Sequence, residues 1–171
     1  MVSGQCPYPL GIAIQDDLVF VGNWWHCCIQ CYRLDGKFVR MWTREEGQLI
    51  QPSGLAVSSA SEVFVCDYRN DRVLVFELDG TFLRSWGSKG SAPGQFQKPC
   101  GIAVSAAGEV LVSDATRVQV FLLDGTFVRC LHLPAGAQGT FAPKGVAVTH
   151  AGDAVICDVR NQGVFIEPAG A

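Results

Sequence analysis

Short apolar runs alternate with turn residues along the whole chain. Between Pro52 and Trp86 the apolar runs are Leu55–Val57, Val63–Cys66, Val73–Phe76 and Phe82–Leu83. Short apolar runs bounded by Ser, Asp, Asn and Gly are typical of β-strands. Because the intervening segments are only a few residues long, they can join only antiparallel neighbours. This stretch therefore predicts a four-stranded antiparallel meander.

The same pattern recurs from one end of the chain to the other. A Pro-x-Gly segment opens each copy, and successive copies begin 43 to 47 residues apart, at Pro9, Pro52, Pro99 and Pro143. A repeat of this length containing four strands is typical of β-propeller blades. The sequence therefore predicts an all-β propeller as a single domain over residues 1–171, with blades at about 9–47, 52–92, 99–135 and 143–168.

An Asp-Gly pair follows the third strand of each complete blade. The pairs are Asp35-Gly36, Asp79-Gly80 and Asp124-Gly125. Because Asp and Gly tolerate a positive φ, we expect two-residue hairpin loops at these positions.

The fourth copy is shorter than the others. Its second and third strands are expected at Ala154–Cys157 and Val164–Ile166, and no fourth strand follows. The residues before Pro9 match the blade-to-blade loops of the interior copies, so we do not expect them to supply that strand. About 3.75 blades can be a fragment of a larger propeller, an open arc that associates with another copy, or a distorted four-bladed ring.

Several motifs resemble the NHL repeat. They are the Pro-x-Gly-Ile-Ala-Val strand at Pro99, the Val-x-Val-x-Asp strand that ends at Asp67, the Arg-Val-x-Val-Phe strand at Arg72 and Arg117, and the Asp-Gly-x-Phe hairpin. The resemblance implies a β-propeller, most often six-bladed. Such propellers often form the substrate- or RNA-binding end of RING-type ubiquitin ligases, although no RING spacing of cysteines is present here. The chain departs from the family pattern at Asn23, at Trp24–Cys28 and at Gly163.

Residues that recur once in each blade are expected to serve the scaffold. We expect the first-strand glycines to lie where the inner strands crowd together, because a side chain there would strike the next blade; they are Gly11, Gly54, Gly101 and Gly145. Asp67, Asp114 and Asp158 end second strands, where a carboxylate can accept hydrogen bonds from its own turn. Trp42 and Trp86 end fourth strands and are interpreted as packing residues.

The formal net charge of −3 hides an uneven distribution of charge over the two faces of the predicted propeller. The face with the strand 2–3 turns and the blade-to-blade loops collects cations: Arg44, Arg69, Arg72, Lys89, Lys98, Arg117, Lys144 and Arg160, against Glu45, Glu46, Asp71 and the strand-end aspartates. The opposite face collects carboxylates: Asp16, Asp17, Asp35, Glu62, Asp79, Glu109, Asp124 and Asp153, against Lys37. A basic face of this kind favours an acidic protein or a phosphate backbone as partner.

The candidate binding residues are the cations and aromatic side chains of these turns. They are Trp24, Trp25, His26, Tyr68, Arg69, Arg72, Arg117, Lys144 and Arg160. The aromatic rings can stack on bases or anchor a peptide. In the alternative interpretation, Arg72 and Arg117 pair with the aspartates of their own turns, which would neutralise much of the basic field.

Neither catalysis nor a cofactor is predicted. The three histidines, His26, His132 and His150, fall at different phases of the repeat, so they are not expected to converge on a metal, as the zinc-dependent peptide-amidating propeller lyases require. The eight cysteines are expected to be free thiols, with Cys66 and Cys157 buried at equivalent positions. The cluster Cys27-Cys28-Ile29-Gln30-Cys31 lacks the second ligand pair of a zinc site.

The sequence thus favours a non-catalytic binding module that recognises a protein or peptide, with single-stranded RNA as a further possibility. A self-assembling structural fragment is the main alternative, and a zinc-dependent lyase is the less favoured one. No apolar run reaches the roughly 20 residues of a membrane helix, and no signal peptide is evident, so a cytoplasmic location is expected.

Overall fold

A computed structural model describes residues 5–43, 49–131 and 141–169. All its strands fall into four antiparallel sheets. The first sheet contains β1 (Pro9–Gln15), β2 (Leu18–Asn23), β3 (Cys28–Arg33) and β4 (Phe38–Trp42); the second contains β5 (Pro52–Val57), β6 (Glu62–Asp67), β7 (Arg72–Glu77) and β8 (Phe82–Trp86). The third contains β9 (Ile102–Val104), β10 (Glu109–Ser113), β11 (Val118–Leu122) and β12 (Phe127–Cys130); the fourth contains β13 (Pro143–Val148), β14 (Ala154–Asp158) and β15 (Gly163–Glu167).

Each sheet is one blade of a partial propeller, which confirms the predicted all-β fold. Within each sheet the strands lie side by side in chain order, as expected of a meander. The first strands pack against one another, β1 on β5, β5 on β9 and β9 on β13. In the described part of the chain the fourth blade has three strands, and β15 is its outer edge.

Three apolar cores lie between successive blades. Because both faces of the inner blades are covered, their strands are apolar without a break; Val63, Phe64, Val65 and Cys66, for example, are all fully buried. Side chains of alternate positions therefore enter alternate cores. Phe20, Trp42 and Phe76 meet between blades one and two, Phe64, Phe96 and Phe121 between blades two and three, and Leu111, Phe141 and Ile156 between blades three and four.

The first-strand glycines lie where the inner strands come closest. A Cβ atom on Gly11 would come within 2.1 Å of the Ser53 carbonyl oxygen, one on Gly54 within 2.5 Å of that of Cys100, and one on Gly101 within 2.2 Å of that of Lys144. This confirms the expected crowding for three of the four glycines. Gly145 differs, because the nearest atom to its Cβ position is Cys157 Sγ at 3.7 Å.

Both ends of the described arc are open. Leu10, Ile12 and Ile14 on β1 are each more than half exposed, as are Val164 and Ile166 on β15. The outer faces of blades one and four therefore do not cover each other, and the four blades form an arc.

Two local expectations were wrong. The hairpin loops contain three residues, since Gly80 N–H donates to the Glu77 carbonyl and Glu77 N–H to that of Thr81. The glycine alone has a positive φ, +98° at Gly80, and a bulge follows it. Cys157 is exposed where Cys66 is buried, because no described blade lies beyond blade four.

The eight cysteines are free thiols. Burial raises the pKa of Cys28 to about 11 and that of Cys66 well above its usual range. No helix among the described residues has the length and apolar character needed to cross a membrane.

Candidate functional site

The turn between the second and third strands of blade two is built on the buried carboxylate of Asp67. Its oxygens accept hydrogen bonds from Asn70 Nδ2 at 2.8 Å, Ile50 N at 2.9 Å and Arg72 Nε at 3.1 Å. Burial raises the pKa of Asp67, and these donors act in the opposite direction. The turn is thereby fixed to the preceding blade-to-blade loop and presents Tyr68 and Arg69 outwards.

Equivalent residues organise the same turn in the other blades. The Asp114 carboxylate accepts from the backbone N–H groups of Thr116 and Arg117, and Asp158 accepts from those of Arg160 and Asn161. These contacts confirm the predicted scaffold role of the strand-end aspartates. In blade one Asn23 takes this role, because its Oδ1 accepts from His26 N at 3.0 Å.

A cavity of about 940 Å³ opens on the face formed by these turns, and we call it the turn-face pocket. Its lining comes from the strand 2–3 turns of blades one to three and from the loops that join blade one to blade two and blade two to blade three. The lining residues are Trp24, Gln51, Tyr68, Arg69, Asp71, Lys89, Gly90, Gln97, Lys98 and Ala115. Residues far apart in sequence thus meet around one concave surface.

Two aromatic rings form the apolar part of the turn-face pocket. The rings of Trp24 and Tyr68 meet edge to face, with centroids 4.8 Å apart and planes at 61°. Lys98 Nζ lies 5.9 Å from the centroid of the Tyr68 ring, within the range of a cation–π contact. Both rings are partly exposed, so a ligand in the pocket can contact them.

The charged part of the turn-face pocket is basic. Arg69, Lys89 and Lys98 are exposed, and Asp71 is the single carboxylate among the lining residues. The Asp71 side chain accepts from the backbone N–H of Lys98 at 2.7 Å and so helps to fix the loop. Within the described part of the chain, Arg69, Lys89 and Lys98 make no ion pair. The pocket therefore combines aromatic surface with unneutralised positive charge, which suits an anionic ligand with an apolar or planar group.

Two of the predicted arginines serve their own turns. Arg72 Nε lies 3.1 Å from Asp67 Oδ2, and Arg117 Nε lies 3.6 Å from Asp114 Oδ2. Arg117 also donates to the carbonyl groups of Ala92 and Gln95. These pairs agree with the alternative interpretation, in which both arginines neutralise the strand-end aspartates.

The remaining predicted residues lie outside the lining of the turn-face pocket. Trp25 is 68% exposed and stacks on Tyr8, with centroids 6.0 Å apart. The His26 ring accepts at Nδ1 from Asn23 Nδ2 within its own turn. Lys144 lies on β13 rather than in a loop, with Nζ 3.5 Å from Cys100 Sγ. Arg160 lies exposed in the strand 2–3 turn of blade four. Binding roles for these residues stay predictions.

Lys89 and Lys98 were assigned to the basic face but not to the predicted site. The loop that carries them joins blades two and three. Phe96 is fully buried in it, and its backbone bonds to Ser88 and Gly90 fold Lys89 and Lys98 towards the same rim. Their position in the loop before Pro99 could have placed them in the predicted site, since the blade-to-blade loops lie on this face.

The opposite face is less acidic than the sequence predicted. Arg33 pairs with Asp17, Arg84 with Glu62 at 2.7 Å, and Arg129 with Glu109 at 2.7 Å. These arginines lie in or at the end of strands and were not counted with the turns. Arg44, Glu45 and Glu46, which were assigned to the basic face, lie outside the described residues.

The described residues contain no group of three or more His, Cys, Asp or Glu side chains placed to hold a metal ion. His26 lies in a turn of blade one, whereas His150 lies in a strand 1–2 turn of blade four, on the other face. His132 lies outside the described residues.

Comparison with known families and relatives gives one family match and two relatives. A family model described as a 6-bladed beta-propeller, DUF5128, matches residues 28–143. The chain is 30% identical over 125 residues to Protein brain tumor of Drosophila melanogaster. This match covers 71% of this chain and 12% of that protein. It is 40% identical over 50 residues to RING finger protein nhl-1 of Caenorhabditis elegans, covering 29% of this chain and 5% of that one. The chain thus matches only a small part of these relatives.

Solved structures show the same fold at low sequence identity. A chain of the nidogen/laminin complex superposes with a TM-score of 0.68 at 18% identity, over 95% of this chain and 76% of that one. A streptogramin B lyase superposes with a TM-score of 0.70 at 16% identity, over 98% of this chain and 55% of that one. At this identity the likeness extends to the propeller fold alone.

Proposed function

Because the chain belongs to the DUF5128 family of 6-bladed beta-propellers and is of the NHL-repeat type, we propose that it is a non-catalytic binding module. In this proposal the turn-face pocket recognises an acidic segment of a protein partner. The observation that supports it most directly is the grouping of Arg69, Lys89 and Lys98 around the rings of Trp24 and Tyr68. An acidic peptide with an aromatic or aliphatic anchor matches both parts of that surface.

Single-stranded RNA is a second candidate ligand. The partly exposed Tyr68 ring with Lys98 beside it provides a stacking surface next to a cation, and this combination suits a base and its phosphate. The two ligand classes differ in what carries the affinity. RNA binding should depend more steeply on salt concentration than peptide binding, because an anchored peptide gains part of its affinity from the aromatic contact.

In a more specific form of this proposal, the binding module recognises the substrate of a ubiquitin ligase system. One relative is named as a RING finger protein. In such a system this propeller would recognise the substrate, and the RING would belong to another segment or another chain. The alternative of a self-assembling scaffold uses the open ends of the arc and leaves the turn-face pocket free.

Titration with labelled probes tests the proposal. The probes are a dye-labelled peptide of alternating Glu and Phe and a dye-labelled 12-nucleotide oligouridine, each followed by fluorescence anisotropy at 50 and 200 mM salt. Reversal of all three cations, R69E, K89E and K98E together, should weaken binding of the preferred probe by about a hundredfold, while K37E on the opposite face should change it less than about twofold. Equal affinity of the triple variant and the unchanged chain would exclude the pocket as the binding site.

A further inference from the structure

The strand 2–3 turn of blade one lacks the ion pair that organises the same turn in blade two. Asn23 stands at the position of Asp67, and Cys28, which pairs with Asn23 across the turn, stands at the position of Arg72. Asn23 and Cys28 are buried, as Asp67 is. Blade one therefore has a neutral amide and a thiol where blade two has a carboxylate and a guanidinium group.

The loop before β1 has also lost a hydrogen bond to this turn. In blades two and three the backbone N–H groups of Ile50 and Gln97 donate to the strand-end carboxylates, at 2.9 and 3.4 Å. Each of these donors stands two residues before the proline that opens its blade. The residue at that position of blade one is Pro7, which has no N–H group. The backbone bond that joins loop and turn in blades two and three therefore cannot form in blade one.

A second thiol lies in the loop before β1. Counted back from the Pro-x-Gly motif, Cys6 stands at the position of Leu49 and Phe96, which are buried apolar side chains. Cys6 is partly buried. Burial raises the pKa of Cys6, and a hydrogen bond with the Asn23 side chain acts in the opposite direction. Blade one thus has two thiols beside Asn23, one in the loop and one at the start of β3.

The loop before β1 crosses the start of β3, which places Cys6 near Cys28. The carbonyl group of Gln5 accepts from Gln30 Nε2 at 3.1 Å. Gln5 adjoins Cys6, and Gln30 is two residues after Cys28 on β3. Burial raises the pKa of Cys28 to about 11, with a further contribution from the neighbouring thiols of Cys6 and Cys27.

Blade three shows which way a side chain at the position of Cys28 extends. Arg117 stands at that position, and its Nη2 donates to the Gln95 carbonyl group at 3.0 Å. Gln95 stands at the position of Gln5, the residue next to Cys6. A side chain that leaves the start of the third strand is therefore directed towards the loop that carries Cys6 in blade one.

From these positions we propose that Cys6 and Cys28 form a reversible disulfide, which fixes the loop before β1 to the strand 2–3 turn of blade one. The bond takes the place of the ion pair and the backbone hydrogen bond that blade one lacks. The free thiols described above are its reduced state, as expected of a redox-sensitive pair in a reducing compartment. Neither cysteine lines the turn-face pocket, so the inference goes beyond the proposed function.

The oxidant is a low-molecular-weight disulfide such as glutathione disulfide. The Cys6 thiolate reacts first, because Cys6 is partly exposed whereas Cys28 is buried. It attacks one sulfur atom of glutathione disulfide and releases one glutathione thiolate. The Cys28 thiolate then attacks the Cys6 sulfur and releases the second glutathione thiolate. Two cysteine thiols are oxidised, one disulfide is reduced, and the two thiol protons pass to the released glutathione.

Mass spectrometry of the full chain identifies the bond. The folded chain is incubated with glutathione disulfide at about pH 8.5, because thiols of raised pKa hold little thiolate at neutral pH. It is then blocked with N-ethylmaleimide in denaturant and cleaved before aspartate residues. Cleavage before Asp16 and Asp17 separates Cys6 from Cys28, so the disulfide appears as a linked pair of fragments. We expect this pair as the main product, with Cys28 assigned from the fragment ions, and its loss on treatment with dithiothreitol.

The bond should also stabilise the folded chain. A link between residues 6 and 28 restricts the unfolded chain, so oxidation should raise the midpoint of thermal unfolding by about 5 °C or more. Cys6→Ala and Cys28→Ala should show no rise, because each removes one partner. The matched control Cys27→Ala keeps both partners and should show the full rise. Each variant is compared with and without oxidant, so a change in its basal stability does not affect the result.

Four results would overturn the proposal. They are absence of the linked fragments after oxidation, a link from Cys6 to Cys27 or Cys31 instead of Cys28, an equal rise of the midpoint in Cys6→Ala, and a disulfide between two chains, seen as a dimer on non-reducing electrophoresis.

Discussion

The indole ring of Trp42 lies against Gly80 so closely that a Cβ atom on this glycine would come within 2.3 Å of Trp42 Cδ1. Trp86 and Gly125 repeat the contact one blade later, at 2.7 Å from Cδ2. Each tryptophan at the end of a fourth strand therefore packs on the hairpin turn of the following blade. Glycine is required at position 80 for two reasons. Its φ is +98°, and the indole ring of Trp42 occupies the space that a side chain would need.

Gly80→Ala should therefore cost more than the same change in blade one. Gly36 has a φ of +82° and no atom within 4 Å of its Cβ position, so Gly36→Ala carries only the backbone strain of about 1–2 kcal/mol. Gly80→Ala adds the displacement of Trp42, for a further 1–3 kcal/mol or so. Urea denaturation of both variants measures the difference, and equal losses would show that the indole contact does not restrain the blade.

A second pair of glycines tests the packing of the inner strands. A Cβ atom on Gly101 would strike the Lys144 carbonyl oxygen at 2.2 Å, whereas one on Gly145 would have its nearest neighbour at 3.7 Å. We expect Gly101→Ala to lower the free energy of unfolding by about 1–3 kcal/mol or more, and Gly145→Ala to change it by less than about 0.5 kcal/mol. Thermal unfolding of the two variants side by side provides the measurement. A large loss in Gly145→Ala would mean that a further strand packs against blade four.

The repeat made the strands and their order predictable, because every blade contains the same apolar pattern and similar turn residues. It could not show which positions lose their neighbours at the ends of the arc. Cys157 and Gly145 have the sequence of buried blade residues, but they are exposed or uncrowded because no described blade lies beyond them. Whether a residue in this fold is buried therefore depends on whether a neighbouring blade covers it.

The candidate site was predictable only in part. Tyr68 and Arg69 were assigned from one turn, and Trp24 from the equivalent turn of blade one. Lys89 and Lys98 join them through the fold of the loop around Phe96, where the strand pattern does not predict the direction of the side chains. The ion pairs of Arg84 and Arg129 were not predicted, because only the charges of turns and loops were sorted by face and these two arginines lie in strands.

The bond between Glu62 and Arg84 should make the stability of the fold depend on pH. The hydrogen bonds from Arg84 lower the pKa of Glu62 below its usual value of 4.5. A lowered pKa in the folded state means that the stabilisation is present above about pH 4.5 and is lost as the pH falls through the folded value. Arg84 also donates to the Leu123 carbonyl at 2.7 Å, so this pair links blades two and three.

Glu62→Gln should lower the free energy of unfolding by about 1 kcal/mol at pH 7 and by less at pH 3. Glu109→Gln is the matched control, because Glu109 accepts a single 2.7 Å bond from Arg129 and both side chains are more exposed. Its effect at pH 7 should be smaller. If Glu62→Gln lowered the free energy of unfolding equally at both pH values, the ionised Glu62 carboxylate would not be the source of the stabilisation.

The two aromatic side chains of the strand 2–3 turns should differ in their contribution to binding. Tyr68 lines the turn-face pocket, whereas Trp25 stacks on Tyr8 outside it. We expect Tyr68→Ala to weaken binding of the Glu-Phe peptide by about tenfold and Trp25→Ala to change it by less than about twofold. Anisotropy titrations give both values. The reverse order would move the site towards Tyr8 and Trp25.

Hydrogen–deuterium exchange with and without the bound Glu-Phe peptide tests the central claim most directly, because it reports which face the ligand covers. We predict slower exchange of backbone amides at residues 68–72 and 89–98, which surround the turn-face pocket. Slower exchange confined to residues 58–62, 78–81 and 105–109, the turns of the opposite face, would contradict it.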